Sequence, residues 1–286
     1  MTRRLSFEFF PPKTEAGLEK LSAVRQELAA LNPEFFSVTY GAGGSTRERT
    51  LKAIDVVRGE GENRIDTAPH ISCIAHSKDE LSELLDGYQA NGISRLVVLR
   101  GDAPSGAVGA TGDFAYASDF VGFIRERYND QFHIEVAAYP EMHPQADSYE
   151  ADLQNFATKV KAGANSAITQ YFYNADAYFY FVDRCEQMGL NIPIYPGIMP
   201  ILNYTNLKRF SSACGAEIPR WIAKQLEAYG DDTASIQAFG NDVVAEMCED
   251  LFAGGAPGLH FYTMNQVEPN QGLAQVLKHM PEITQV

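Results

Sequence analysis

The sequence contains no cysteine pair of the kind that binds zinc or exchanges disulfides. Its four cysteines are far apart, and no two of them form a C-x-x-C pair: Cys73, Cys185, Cys214 and Cys248. A zinc knuckle and a thioredoxin-like motif are therefore excluded. Widely spaced cysteines in a chain of 286 residues indicate reduced, buried thiols of a cytoplasmic protein.

Positive charge and long apolar segments are also scarce. Lys and Arg number 23 against 37 Asp and Glu, a formal net charge of -14. Because phosphates attract basic surfaces, this balance argues against nucleic acid and anionic membranes as partners. No apolar run is long enough to cross a bilayer. The apolar start of the chain stops at Pro11 and Pro12, which is unlike a signal peptide.

Several catalytic motifs are missing as well. The chain has no G-x-S-x-G nucleophile elbow. The segment GAGGST at 41–46 lacks the lysine of a P-loop, and Thr46 stands where a dinucleotide fingerprint has its last glycine. No second histidine lies at metal-binding spacing from His143, so we expect no metal site. None of the predicted strands carries a lysine for a Schiff base, which argues against an aldolase or a lyase.

What the chain does have is a regular alternation of short apolar runs and longer amphipathic segments. Strands are predicted at 5–10, 35–40, 68–73, 95–100, 134–139, 167–172, 192–197 and 258–263. Helices are predicted at 18–31, 47–57, 78–91, 119–128, 149–162, 177–188, 204–213, 220–229 and 233–253, with a last one near 272–279. Ser77 and Ser118 are typical helix starts, and Gly92, Gly163 and Gly189 are typical helix ends.

This alternation predicts a parallel sheet with helical crossovers. The strands are apolar on both faces, as expected of a sheet that is covered on both sides. We therefore predict a single-domain α/β protein, a (β/α)8 TIM barrel spanning residues 1–286, with an extra helix before strand eight. An open doubly wound sheet is the alternative, but its glycine fingerprint is missing after the first strand.

Polar residues concentrate where the predicted strands end, which is where a barrel has its active site. Glu8 lies between Phe7 and Phe9 in the first strand, so alternation places it on the opposite face from both rings. If that face is the barrel interior, desolvation raises the pKa of the carboxyl group and makes Glu8 a general acid. A salt-bridged structural glutamate is the alternative.

The segment Arg100-Gly101-Asp102 ends the fourth predicted strand. The arginine and the aspartate could hold a phosphate and a polar ring together, and the glycine would let a flat ligand approach the backbone. An ordinary Arg–Asp ion pair that closes a loop is an equally good interpretation. His70 and Gln170 lie in strands three and six, and each is also compatible with a hydrogen-bonded core side chain.

Nine motifs follow one another between about residues 5 and 266: SFEFFPPK, FFSVTYGAGG, APHISC, VLRGD, YASD, VAAYPEMHP, AGANSAITQYF, PGIMP and LHFYTMN. In this order they resemble the bacterial methylenetetrahydrofolate reductases. The resemblance implies a (β/α)8 barrel with non-covalent FAD. It also implies hydride transfer from NADH or NADPH through FAD to 5,10-methylenetetrahydrofolate, giving 5-methyltetrahydrofolate for methionine synthesis. The family further suggests a homo-oligomer.

The same resemblance implies roles for individual residues. Glu8 matches the acid that protonates the folate as its five-membered ring opens to an iminium, and Asp102 matches an aspartate near flavin and pterin, so both are predicted to be catalytic. Thr39 matches a residue that contacts the nicotinamide. Gln170 matches a side chain that contacts folate or nicotinamide in turn. Phe210 matches an aromatic residue that covers the substrate. The flavin-site positions are Tyr40, Ala42, His70, Arg100, Gly101, Asp102, Ala117, Tyr139, His143, Ala146, Asp152, Asn155 and Lys159. The substrate-binding positions are Thr39, Asp102, Gln170, Asn206, Phe210 and Gln266.

Three positions depart from the family pattern. Gln266 stands where some members carry an arginine, Asn206 where some carry a glutamine, and Thr158 where some have an arginine beside the flavin diphosphate. The first two bear on the glutamate tail of the folate. We expect no feedback by S-adenosylmethionine, because a chain of 286 residues leaves no room for the regulatory domain of larger members. A flavin-binding barrel without catalytic activity is the alternative, and it would not need Glu8.

Overall fold

The structure is a computed structural model that describes residues 4–40, 47–102 and 112–267. The helix predicted near 272–279 lies outside these residues. Within them, nine parallel strands form one sheet. The strands are β1 (Arg4–Phe9), β2 (Phe35–Val38), β3 (Asp66–Ser72), β4 (Arg95–Leu99), β5 (His133–Ala138), β6 (Ser166–Thr169), β7 (Ile194–Tyr195), β8 (Gly197–Ile198) and β9 (Gly258–Tyr262).

Helices connect the strands and have the predicted kinds of ends. They are α1 (Glu15–Ala29), α2 (Arg47–Arg58), α3 (Lys78–Ala90), α4 (Ala117–Tyr128), α5 (Tyr149–Lys161), α6 (Ala175–Gln187), α7 (Tyr204–Cys214), α8 (Arg220–Tyr229) and α9 (Thr233–Ala253). Ser77 caps α3 by accepting the backbone N–H of Glu80. The start predicted at Ser118 is wrong, because the Asp119 carboxylate accepts the N–H of Tyr116 and α4 begins at Ala117, before Ser118.

The strand predicted at 192–197 is wrong as one continuous strand, because Pro196 divides it into β7 and β8. Proline has no N–H to donate, so a strand ladder cannot continue through it. β7 pairs with β6, and β8 pairs with β9. The sheet order β7-β6-β5-β4-β3-β2-β1-β9-β8 therefore closes on itself at this proline. The predicted TIM barrel is confirmed, with its seventh strand in two halves.

The interior of the barrel is layered. Four apolar residues form a buried plug inside the barrel: Phe35, Ala68, Val97 and Ile168. A separate and larger core lies between the sheet and the surrounding helices. The plug divides the polar interior of the barrel into one part towards the amino ends of the strands and one towards their carboxyl ends.

A lower cluster of charged residues, Glu34, Asp66, Arg95 and Glu135, lies at the amino ends of the strands. The Arg95 guanidinium donates to Glu34 at 2.6 Å, to Glu135 at 2.9 Å and to Asp66 at 3.3 Å. It also lies 4.3 Å from the centroid of the Phe35 ring. One fixed cation thus holds three carboxylates against the plug.

The cysteines agree with the prediction from their spacing, except that Cys214 is half-buried rather than buried. All four are free thiols, and Cys73, Cys185 and Cys248 are buried. Among the helices that the structure describes, none is both long and apolar enough to span a membrane.

Candidate active site

A cavity of about 460 Å³ opens at the carboxyl ends of the strands, within the size range of ligand sites. Seven predicted site residues form part of its wall: Glu8, His70, Asp102, Tyr139, His143, Gln170 and Phe210. They come from β1, β3, the segments after β4, β5 and β6, and helix α7. The barrel therefore brings together side chains that are far apart in the sequence.

Glu8 is the centre of an upper cluster, which consists of Glu8, His70 and His260. Glu8 Oε2 lies 3.2 Å from His70 Nε2 and 3.8 Å from His260 Nε2. The His260 ring is held from its other side, where Nδ1 lies 2.8 Å from Ser6 Oγ. The Glu8 side chain is 18% exposed, so the cavity can reach it.

The prediction that the pKa of Glu8 is raised is wrong for this arrangement. Burial does raise it, but the charges and hydrogen bonds of His70 and His260 outweigh burial and lower the pKa of Glu8 from 4.5 to about 2. The carboxylate is consequently ionised at neutral pH. Sequence alternation placed Glu8 on the correct face but could not identify its partners on β3 and β9.

A second group of predicted residues surrounds the loop after β5. The rings of Tyr139 and His143 pack edge to face with centroids 4.5 Å apart. The His143 backbone N–H donates to the Asp152 carboxylate at 2.8 Å, and His143 Nδ1 accepts the N–H of Gln145 at 3.0 Å. Burial lowers the pKa of His143, which favours a neutral imidazole. Arg100 donates to the Gln145 side chain at 2.5 Å.

Two cations lie on this side of the cavity. Lys159 on α5 donates to the backbone oxygen of Ala137 at 2.5 Å, and burial lowers the pKa of Lys159 to about 8. Arg100 donates to the backbone oxygen of Gly101. Among the described contacts Arg100 makes no ion pair with Asp102, so a simple loop-closing pair is not what holds this segment. Gly101 has a φ of +85°, which favours glycine.

Other predicted positions are not part of the described cavity wall. They are Thr39, Tyr40, Arg100, Gly101, Ala117, Ala146, Asp152, Asn155, Lys159, Asn206 and Gln266. Thr39 Oγ1 is buried and has no hydrogen-bond partner in the described structure. Asn206 is exposed on α7, and Gln266 follows β9 in a turn closed by Thr263. Ala42 lies outside the described residues.

His260 is a site residue that was not predicted from the sequence. In the parallel ladder Ser6 is opposite His260, and Glu8 is opposite Tyr262, so all four side chains point into the barrel. The Tyr262 ring packs edge to face on His260 with centroids 5.4 Å apart. The period of two in GLHFY was the available signal, since it places His260 and Tyr262 on one face.

Comparison with known proteins identifies relatives of this chain. A family model described as methylenetetrahydrofolate reductase matches residues 2–279. The 5,10-methylenetetrahydrofolate reductase of Escherichia coli (strain K12) is 39% identical over 277 residues, which cover 97% of this chain and 91% of that protein. Methylenetetrahydrofolate reductase (NADH) 1 of Arabidopsis thaliana is 40% identical over 272 residues, which cover 91% of this chain and 46% of that protein.

A solved structure shares the fold. An uncharacterized protein from Clostridium thermocellum, which binds two copies of 5-methyl-5,6,7,8-tetrahydrofolic acid, matches with a TM-score of 0.67 and 18% identity. The match covers 97% of this chain and 95% of the other. At this identity the match supports the barrel architecture alone.

Proposed function

The chain belongs to the methylenetetrahydrofolate reductase family, and we propose that it transfers a hydride from NADH or NADPH through FAD to 5,10-methylenetetrahydrofolate, giving 5-methyltetrahydrofolate. The members of this family are oxidoreductases. The observation that carries the proposal is the Glu8 carboxylate, held between two imidazoles on a cavity wall that Asp102, Gln170 and Phe210 share. We also propose a cytoplasmic homo-oligomer.

The residues around the loop after β5 fit FAD. Arg100 and Lys159 supply positive charge for a diphosphate in an otherwise acidic protein. Tyr139 and His143 supply aromatic surface. When bound, FAD would accept a hydride from the reduced nicotinamide and supply one to the folate.

Glu8 provides the proton for the folate half-reaction. A pterin bound over Glu8 excludes the remaining water, and this desolvation raises the pKa of the carboxyl group. As its pKa rises, the carboxylate takes up a proton from solvent in the cavity, and it gives this proton to the folate as the five-membered ring opens to an iminium. His70 and His260 hold the carboxylate in position before the substrate arrives.

Three further wall residues orient the substrates. Gln170 Oε1 accepts the N–H of Tyr171 at 3.0 Å, so its NH2 group is available to donate to folate or nicotinamide. Burial raises the pKa of the Tyr139 phenol, and the negative charge of the nearby Asp102 raises it further. Phe210 on α7 supplies an apolar surface that either substrate can cover in turn.

An absorption spectrum under anaerobic conditions tests the proposal. Protein purified and incubated with FAD should show a flavin spectrum that NADH or NADPH bleaches. Methylenetetrahydrofolate should then restore it. Bleaching without recovery would indicate a flavoprotein reductase with another acceptor. A protein that retains no flavin after added FAD would overturn the proposal.

A further inference from the structure

We propose that Glu141 is a positioning residue that joins the loop carrying His143 to the end of helix α7, and thereby sets the two proposed ligand sites relative to each other. The inference rests on the proposed function, because it takes His143 as a flavin contact and Phe210 as a substrate contact. Glu141 itself is not part of the described cavity wall.

The first contact is a hydrogen bond between distant segments. Glu141 Oε2 accepts the backbone N–H of Glu217 at 2.8 Å, across 76 residues of sequence. Glu217 lies between α7 and α8. Burial raises the pKa of Glu141. Because the backbone N–H of Glu217 is held in place by the main chain, this hydrogen bond anchors the loop.

The second contact packs the same loop against the end of α7. Gly215 ends α7 with a φ of +78°, and a Cβ at this position would lie 2.9 Å from Pro144 Cγ. Pro144 and Cys214 both belong to the cavity wall. The loop and the helix therefore meet where they border the cavity.

The backbone between these contacts is strained. Met142 has a φ of +100°, a conformation that a residue with a side chain rarely adopts. Such a conformation persists only where the surrounding structure imposes it. Glu217 fixes the loop on one side of Met142, and the Asp152 carboxylate, which accepts the N–H of His143, fixes it on the other. Without Glu141, Met142 can relax and displace His143.

Replacing Glu141 should therefore weaken both ligands together. In Glu141→Ala we expect the dissociation constant of FAD and the KM for methylenetetrahydrofolate each to rise about tenfold, the effect of one lost hydrogen bond to a charged group. The chemistry at Glu8 should be unaffected, so the pH profile of kcat should keep its shape. A purely structural role would lower the Tm and leave FAD affinity and KM of the folded enzyme unchanged.

Three variants make the test specific. Glu141→Gln keeps an acceptor oxygen and should restore both constants. Glu217→Ala keeps the backbone N–H and should retain the contact. Glu141→Asp keeps the charge but shortens the reach, and it should behave like Glu141→Ala even if that variant folds poorly.

Wild-type FAD affinity and KM in both Glu141→Ala and Glu141→Asp would overturn the inference. So would a loss in Glu217→Ala as large as that in Glu141→Ala, because the side-chain charge would then be responsible. A wild-type protein that binds no FAD would instead overturn the proposed function.

Discussion

The barrel interior holds two clusters of buried carboxylates, and they differ in the cation that neutralises them. In the lower cluster Glu135 is completely buried and paired with the Arg95 guanidinium at 2.9 Å, with the His133 imidazole a further 3.2 Å contact. In the upper cluster no guanidinium pairs with Glu8 among the described residues, and its partners there are the imidazoles of His70 and His260. A guanidinium never loses its proton in a protein, whereas imidazoles titrate near neutral pH. The lower carboxylates are thus held by a cation that cannot give up its proton, and the upper one lies beside groups that can exchange protons.

One aromatic ring touches both clusters. The Arg95 guanidinium lies 4.3 Å from the centroid of Phe35, and that ring stacks on His260 with centroids 6.0 Å apart. Phe35, a residue of the plug, therefore connects the upper cluster to the lower one. Changes above Phe35 should therefore affect chemistry first, and changes below it should affect stability first.

The largest effect is expected for Glu8→Gln. Glutamine keeps the shape but cannot deliver a proton, so the rate of folate reduction should fall by roughly 10²–10⁴-fold, the usual contribution of a general acid. Reduction of the flavin by NADH or NADPH needs no proton from Glu8 and should continue. Stopped-flow measurement of the two half-reactions separates these outcomes. Unchanged folate turnover would remove Glu8 from the mechanism.

Arg95→Met should show the opposite pattern. Three carboxylates would remain below the plug without their shared cation, which should lower the free energy of unfolding by about 3–5 kcal/mol. Urea denaturation measures this loss. The matched control is Arg127→Met, which breaks an exposed pair with Asp86 and should cost at most about 1 kcal/mol. Equal losses in the two variants would contradict the structural role of the lower cluster.

A smaller effect is expected when the stability of wild type and Glu8→Gln is compared as a function of pH. The pKa of Glu8 is about 2 in the folded protein against 4.5 when unperturbed. The ionised carboxylate therefore stabilises the fold by about 3 kcal/mol above pH 4.5. This advantage declines as the pH falls from 4.5 towards 2. Urea titrations at several pH values measure the difference, and an equal difference at every pH would contradict the ion pairing.

The sequence was sufficient for the barrel because periodicity and turn residues act locally. It also placed Glu8 and Gln170 at the correct ends of their strands, although Gln170 lies one residue after β6 rather than within it. It was not sufficient for the division of strand seven at Pro196, since the missing donor matters only once the neighbouring strands are known. The low pKa of Glu8 could not be predicted for a similar reason, because it depends on His260 in the last strand.

The joining of the first and last strands also has a consequence for synthesis on the ribosome. Ser6 and His260 are 254 residues apart in sequence, and Thr263 and Asn265 bond to the backbone of Glu8 and Phe10. At about 5–20 residues per second, roughly 10 to 50 seconds pass between translation of the two strands. Throughout this interval β1 lacks one of its two neighbours and leaves an unpaired edge. The nascent chain must therefore be protected from aggregation until almost the whole barrel has been translated.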